Sequence, residues 1–409
     1  MQAFAITNRF LRNRASPDCV DSLAATANNV ARTPLSPTEL EFARTAWSYF
    51  QLHTEPATGF CPERAGSNHA SPWEFGANVL AIQSALNLGL LGPIDARARL
   101  ETCLASLAGL ALAGSGLPRR RYDIHQMRAD GPSGPTASPP FSARQIMRLI
   151  AGFLVLARHH ADLAPEISLI LRRWDLPRVF DGGRFLSVPA RTDGRNAPRN
   201  EEYLGYEQYA ARTGCLIGLK CEEALDVRAI LGGFRRGDTL FPGDKRHAPG
   251  KPAIITSDPF HLEAMEFGWR QDMLDIAASL FLAQKSRFER SGNLTALTEE
   301  VLDRGPGNSV QGIGAQAQPF ASRSRDGLNL AHLRCLSAKA AFGWWALLPT
   351  PYSQKLLDAV SDLQTPSGWM AGIYEVGGAT NSVLSLNTNA MILQALHYKS
   401  RGPMFLPPN

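Results

Sequence analysis

Trp73-Glu74-Phe75-Gly76-Ala77-Asn78-Val79-Leu80-Ala81-Ile82 opens with aromatic, acidic and glycine residues, then runs on as small and apolar side chains. Leu386-Asn387-Thr388-Asn389-Ala390-Met391-Ile392-Leu393-Gln394-Ala395-Leu396 repeats that design near the other end of the chain. Small side chains on every side mark a helix that is buried on most faces, where neighbouring backbones approach closely. Four more segments fit: they open at Ser142-Ala143-Arg144-Gln145, Leu204-Gly205-Tyr206-Glu207, Phe267-Gly268-Trp269-Arg270 and Ser337-Ala338-Lys339-Ala340. A unit repeated every 50 to 70 residues or so cannot bury its apolar face alone and must stack on its neighbours.

Between these segments lie amphipathic stretches with charged outer faces: Pro37 to His53, Asp95 to Leu112, Ala164 to Trp174, Cys221 to Phe234, and Ser353 to Leu363. Ser36-Pro37-Thr38-Glu39 starts the first with an N-cap, a proline at the first helical position and an acid in the first turn. Six inner helices alternating with an outer layer predict an all-α fold, an (α/α)6 toroid. Residues 1–36 read as an N-terminal extension and residues 37–409 as one barrel domain. Polar or Gly/Pro-rich connections at Asp130 to Pro140, Val188 to Asn200, Gly237 to Pro252 and Arg304 to Gly327 are expected as long loops over one end. The β-prone runs at Phe185 to Val188 and Ala253 to Thr256 suggest small hairpins there.

Composition narrows the function. Net charge is +5, and basic residues cluster only at Arg119-Arg120-Arg121 and Arg235-Arg236, too thinly for a nucleic-acid face. No apolar run reaches the length of a transmembrane helix, and Met1 to Arg14 has no signal-peptide core. As written the chain reads as cytoplasmic, with a periplasmic place left open for a trimmed precursor. The six cysteines make no CxxC and have no histidine at zinc spacing, so they read as small buried hydrophobes, and no metal or cofactor is expected. Neither a nucleophile elbow nor a phosphate-binding glycine loop is present.

If the inner helices run the same way, their N-termini meet at one end and their polar openings converge around a cavity. The residues falling there are Trp73, Glu74, Gln145, Glu201, Tyr206, Glu207, Tyr209, Asp258, Trp269, Glu299, Trp369, Tyr374, Glu375, Asn387 and Asn389. Aromatic faces cover the C–H surfaces of a sugar, while carboxylates and amides match its hydroxyls. Glycosidic hydrolysis needs two carboxyl groups, one protonated as the acid and the other a base or nucleophile. Glu207, set among apolar and aromatic neighbours, is the first candidate for the acid. Asp258 or Glu375 is favoured as its partner, ahead of Glu299 and Glu74.

The motifs Trp47-Ser48-Tyr49-Phe50, Trp73 to Gly76, Glu201 to Ala211, Thr256-Ser257-Asp258-Pro259, Gly368 to Glu375 and Leu386 to Ala390 occur in that order. Together they resemble the bacterial domain of unknown function 3131 family, similar in turn to glucoamylase-like and endo-β-1,2-glucanase-type (α/α)6 barrels. The resemblance implies a glycoside hydrolase or transglycosylase acting on a bacterial glucan or exopolysaccharide. It also implies Asp where this chain has Gln145 and Glu74, and Glu where it has Asp258 and Gln394. Glutamine cannot titrate, so a second expectation is a non-catalytic polysaccharide-binding protein or a partner of a polysaccharide synthase. A helical scaffold for a protein partner is a third.

Overall fold

The computed structural model describes residues 17–28, 32–129, 140–188, 199–201, 203–236, 239–246, 253–314, 319–324 and 326–405. Twelve α-helices lie among them: α1 (Pro17–Asn28), α2 (Pro37–His53), α3 (Pro72–Asn87), α4 (Pro93–Ala108), α5 (Ala143–His159) and α6 (Ala164–Arg172) come first. They continue with α7 (Tyr206–Leu216), α8 (Asp258–Phe267), α9 (Gln271–Ser291), α10 (Ala338–Leu347), α11 (Pro351–Val360) and α12 (Leu386–Arg401). Contacts run α3–α5–α7–α8–α10–α12 and return from α12 to α3, which closes a ring of six helices. Its members are the small-residue segments. In α8 and α10 every residue is buried.

Close approach within the ring rests on glycine. A methyl at Gly76 would stand 2.5 Å from the Arg148 carbonyl oxygen, and one at Gly152 would stand 2.7 Å from Val79 Cγ2. These two glycines let α3 and α5 pack at backbone distance. A buried polar knot then ties the ring across its interior. Arg148 of α5 pairs with Glu266 of α8, and the Tyr209 hydroxyl of α7 bonds both, accepting from Arg148 at 3.0 Å and donating to Glu266 at 2.7 Å. Gln394 of α12 turns its amide toward the same pair.

Each inner helix is entered from a short strand, and most of those strands are followed by a serine cap. His69–Ala70, Phe141–Ser142, Arg199–Asn200, Ile254–Ile255, Cys335–Ser337 and Thr380–Leu384 precede α3, α5, α7, α8, α10 and α12 in turn. Each strand pairs antiparallel with another, for example Cys335–Ser337 with Gly368–Tyr374. Ser71, Ser142, Ser337 and Ser385 accept backbone N–H bonds at their helix starts, which satisfies donors that a helix leaves open. Gly205 starts α7 at φ 96°, where a side chain would also strike Pro259 Cγ at 2.7 Å.

The outer layer is α2, α4, α6, α9 and α11, with α1 packed on α9. Three expectations need correction. Arg304 to Gly327 is not a plain loop, because it carries the paired strands Asn308–Gly314 and Phe320–Arg323. Cys221 to Phe234 is not an outer helix: it forms a 3-10 turn at Glu222–Leu225 and the strand Leu231–Arg236, paired with Thr239–Asp244. Gly232-Gly233 weakens a helix in this window, and Phe234 stacks on Phe241 across the hairpin at 5.3 Å. Nor does Phe267 to Arg270 open an inner helix. Gly268, at φ 81°, ends α8, and the inner segment is α8 itself, started by Ser257-Asp258-Pro259. The loops at 130–139, 189–198 and 247–252, with most of the 1–36 extension, fall wholly or partly outside the described residues.

The segment after α12 lies across the opposite end of the ring. The Met404 and Phe405 backbone N–H groups donate to the Met265 and Glu266 carbonyls at 2.9 and 2.7 Å, and Met404 is buried against Leu80 and Val155. No helix among the described residues is long and apolar enough to cross a membrane.

Candidate functional site

The N-terminal ends of all six inner helices line one cavity of about 470 Å³, within the size range of small-molecule sites. Trp73 and Glu74 come from α3, Arg144 and Gln145 from α5, Tyr206 from α7, Asp258 from α8, Lys339 from α10 and Asn387 from α12. Glu63, Arg64, Arg120 and Arg121 join from the segments before α3 and α5, and Glu299, Glu300 and Asn308 from the segment after α9. A small deeper pocket continues along the axis between Trp73, Arg148, Asp258, Lys339 and Asn387.

The aromatic floor is held rigidly. Trp73 meets Tyr206 edge to face at 5.6 Å, and the Arg144 and Arg148 guanidinium carbons stand 5.8 and 5.5 Å from its ring centre. Arg144 also lies 4.5 Å over Tyr206 and reaches Glu299 at 3.5 Å.

Three carboxyl groups face this floor from the α8–α10 side. Asp258 Oδ2 accepts from the Lys339 ammonium at 2.8 Å, while its Oδ1 is buried with no hydrogen-bond partner. Burial works against the charge on Lys339, yet Asp258 and Glu300 raise its pKa above the ordinary lysine value. Glu300 is 5% exposed, and its Oε1 bonds the Ser337 hydroxyl that caps α10. Burial pushes its carboxyl up to about 7, against the opposing pull of Lys339. Glu299, the neighbour, is the more open of the two. Across the cavity, burial and then the charge of Glu74 raise the Glu63 carboxyl, although Arg121 pairs with it at 3.1 Å.

Of the expected site residues, Trp73, Glu74, Gln145, Tyr206, Asp258, Glu299 and Asn387 share the cavity. Glu74 works largely as a cap: it accepts from Ser71 N at 3.0 Å and from Asn387 Nδ2 at 2.8 Å. The Gln145 carbonyl oxygen is buried and unbonded.

The others lie elsewhere. Glu207, the expected proton donor, points to the 231–244 hairpin and pairs with Arg246 at 2.5 Å; burial raises its pKa, but it does not line this cavity. Glu375 is gripped by Arg287 at 2.5 and 2.8 Å and by Arg334 at 2.7 Å. Glu201 accepts from Ser142 Oγ and Arg144 N at 2.7 and 2.8 Å, fixing the start of α5. Tyr209 belongs to the polar knot. Trp369 is core, its indole donating to the Phe42 carbonyl at 3.0 Å, and Asn389 holds the Trp369 N–H at 2.8 Å. The Tyr374 hydroxyl donates to Asp303 at 2.7 Å in a satellite cluster. Trp269 follows the C-terminal end of α8, at the far side of the ring.

Sequence reasoning passed over Glu300, Lys339, Glu63 and Arg64. Glu300 stands beside Glu299, and Lys339 sits inside the helix opening at Ser337 to Ala340. Among the described residues, no group of three or more His, Cys, Asp or Glu could hold a metal ion.

A closed ring of parallel helices whose N-terminal ends share one acidic, basic and aromatic cavity defines the class of this protein. The chain belongs to the family described as protein of unknown function DUF3131, whose sequence profile matches residues 41–402. No curated protein sequence matches it. Among solved structures it is similar to an endo-β-1,2-glucanase from Chitinophaga pinensis in complex with sophorotriose and glucose. That pair is 13% identical with a TM-score of 0.70, over 91% of this chain and 94% of the other. A glucoamylase-like protein from Bacteroides caccae is 12% identical with a TM-score of 0.66, over 94% and 95% of the two chains. An endo-β-1,2-glucanase from Talaromyces funiculosus, in complex with β-1,2-glucan, is 9% identical with a TM-score of 0.54, over 97% and 88%. At these identities the likeness carries the fold.

Proposed function

We propose that the chain is a glycoside hydrolase or transglycosylase of (α/α)6 toroid architecture that acts on a bacterial glucan. Glu300 is its proton donor and Asp258 the second carboxylate. The observation that carries this reading is Glu300, a buried carboxyl at the cavity wall with its pKa pushed up to about 7. A group so placed keeps a proton near neutrality and can give it to the glycosidic oxygen as the C–O bond breaks. Asp258, paired to Lys339, has an unused oxygen. That oxygen either takes the proton of the attacking water or bonds the anomeric carbon itself. Trp73 and Tyr206 supply faces for the sugar rings. The β-1,2-glucan bound to one structural relative is the first substrate to try.

Incubation with linear and cyclic β-1,2-glucans and other bacterial glucans should release new reducing ends. Glu300→Gln and Asp258→Asn should each lower the rate at least about 100-fold, the span of acid–base catalysis. Full turnover by Glu300→Gln would remove the assignment. NMR of the first-formed anomer separates the two roles of Asp258.

One observation favours a second reading. Gln145, which cannot titrate, has a buried unbonded carbonyl oxygen at the cavity where the family resemblance implies an acid. In that case the protein binds glycan without turnover, and Gln145→Asp gains measurable hydrolysis. No observation supports a polysaccharide synthase as partner, and the cavity favours a glycan over a protein-scaffold role.

A further inference from the structure

Two thiols meet at the C-terminal end of α7. Cys215 lies in the last turn of that helix, Cys221 leads into the 3-10 turn Glu222–Leu225, and their sulfurs are 3.7 Å apart. The chain between them is pinned by its own backbone. The Ile217 and Leu219 N–H groups donate to the Gly214 carbonyl at 3.1 and 3.0 Å, the Gly218 N–H donates to the Cys215 carbonyl at 3.1 Å, and Gly218 turns at φ 84°. Gly214 makes room for the pair, since a methyl there would stand 2.7 Å from the Cys221 sulfur. Exposure sets this pair apart from the other described cysteines. Cys61, Cys103 and Cys335 are buried, burial raises the pKa of each thiol, and thiols so placed are inert. Cys215 is partly open to solvent, and Leu216, Gly218 and Lys220 beside it are exposed. Cys221 is buried behind it, with burial and then contact with Cys215 pushing its thiol up to about 12.

We propose that Cys215 and Cys221 form a disulfide by exchange with a glutathione-type disulfide, clamping the end of α7 to the turn that leads into the 231–244 hairpin. Access sets the order of events. The Cys215 thiolate attacks one sulfur of the small disulfide, forming a mixed disulfide and releasing a thiolate that takes up the proton Cys215 gave. Cys221 then loses its proton and attacks the Cys215 sulfur: the Cys215–Cys221 bond forms, the mixed disulfide breaks, and a second small thiol leaves with that proton. Two protein thiols are oxidised and one small disulfide is reduced to two thiols. The linkage lies at the opposite end of α7 from Tyr206, which lines the cavity, so it acts on stability and stands apart from the glycan reading.

Mass spectrometry of the intact chain tests this after incubation with oxidised glutathione, blocking of remaining thiols with iodoacetamide and digestion with trypsin. Cleavage after Arg212, Lys220 and Arg228 places Cys215 in peptide 213–220 and Cys221 in peptide 221–228, so the disulfide joins two peptides that otherwise separate. That linked pair should appear, and dithiothreitol should resolve it. The melting temperature of the oxidised chain should rise by about 2–5 °C, the gain expected from closing so short a loop in a chain of this size. Cys221→Ser should instead accumulate glutathione on Cys215, and Cys215→Ser should leave Cys221 as a thiol. Recovery of Cys221 as a thiol in the parent after prolonged oxidation would overturn the inference, whether Cys215 is then free, bound to glutathione or linked to another cysteine. A melting temperature that falls when the linked pair forms would overturn the clamp.

Discussion

Replacing Glu300 by glutamine keeps the shape of the side chain and takes away its ionisation, so the consequence for stability follows from proton linkage. The folded carboxyl titrates at about 7 against 4.5 for a free glutamate. Because the folded pKa is raised, the native state binds the extra proton. Ionisation therefore destabilises the fold progressively as pH rises above about 4.5, with the full effect reached above about 7. The difference between the two values corresponds to roughly 3 kcal/mol at pH 8 and above, and to roughly 1 kcal/mol at pH 5. Urea denaturation of both proteins at several pH values isolates the effect. Glu300→Gln should gain roughly 2–3 kcal/mol relative to the parent between pH 5 and pH 8. A gap that stays flat, or closes as pH rises, would mean that Glu300 is ionised normally in the folded protein, and its candidacy as the acid would fall with it.

Three further outcomes follow from the packing. Arg148→Met strands the buried Glu266 charge and should lose about 3–5 kcal/mol in denaturant titrations, while adding Glu266→Gln should restore a large part of that loss. Gly76→Ala forces a methyl against the Arg148 carbonyl oxygen and should cost about 1–3 kcal/mol, read as a lower melting temperature. Glu207→Gln and Glu375→Gln should leave glycan turnover or binding intact, because neither side chain borders the cavity; Glu375→Gln should lose about 1–3 kcal/mol of stability through Arg287 and Arg334.

What the sequence disclosed and what it hid divide along physical lines. Burial on all sides leaves a compositional mark, so the small-residue helices could be read directly, as could the N-cap at Ser36 from its own local sequence. Direction around a helix is harder to read. Tyr206 and Glu207 are neighbours in the first turn of α7, but successive residues turn by about 100°, so the tyrosine meets the cavity and the acid meets the hairpin. Glu299 and Glu300 pose a related difficulty, since both border the cavity and only Glu300 is buried. Nothing local indicates which one is buried; that depends on Ser337 and Lys339, some forty residues further along. Trp269 misled for another reason: Glu-Phe-Gly-Trp looks like the opening of α3 read in a different order, although its glycine closes a helix.

The segment of Met404 and Phe405 that lies over the far ends of α3, α5 and α8 has a consequence for traffic. With the far ends of α3, α5 and α8 covered by this segment among the described residues, a glycan bound in the cavity would come and go at the end where the inner helices begin.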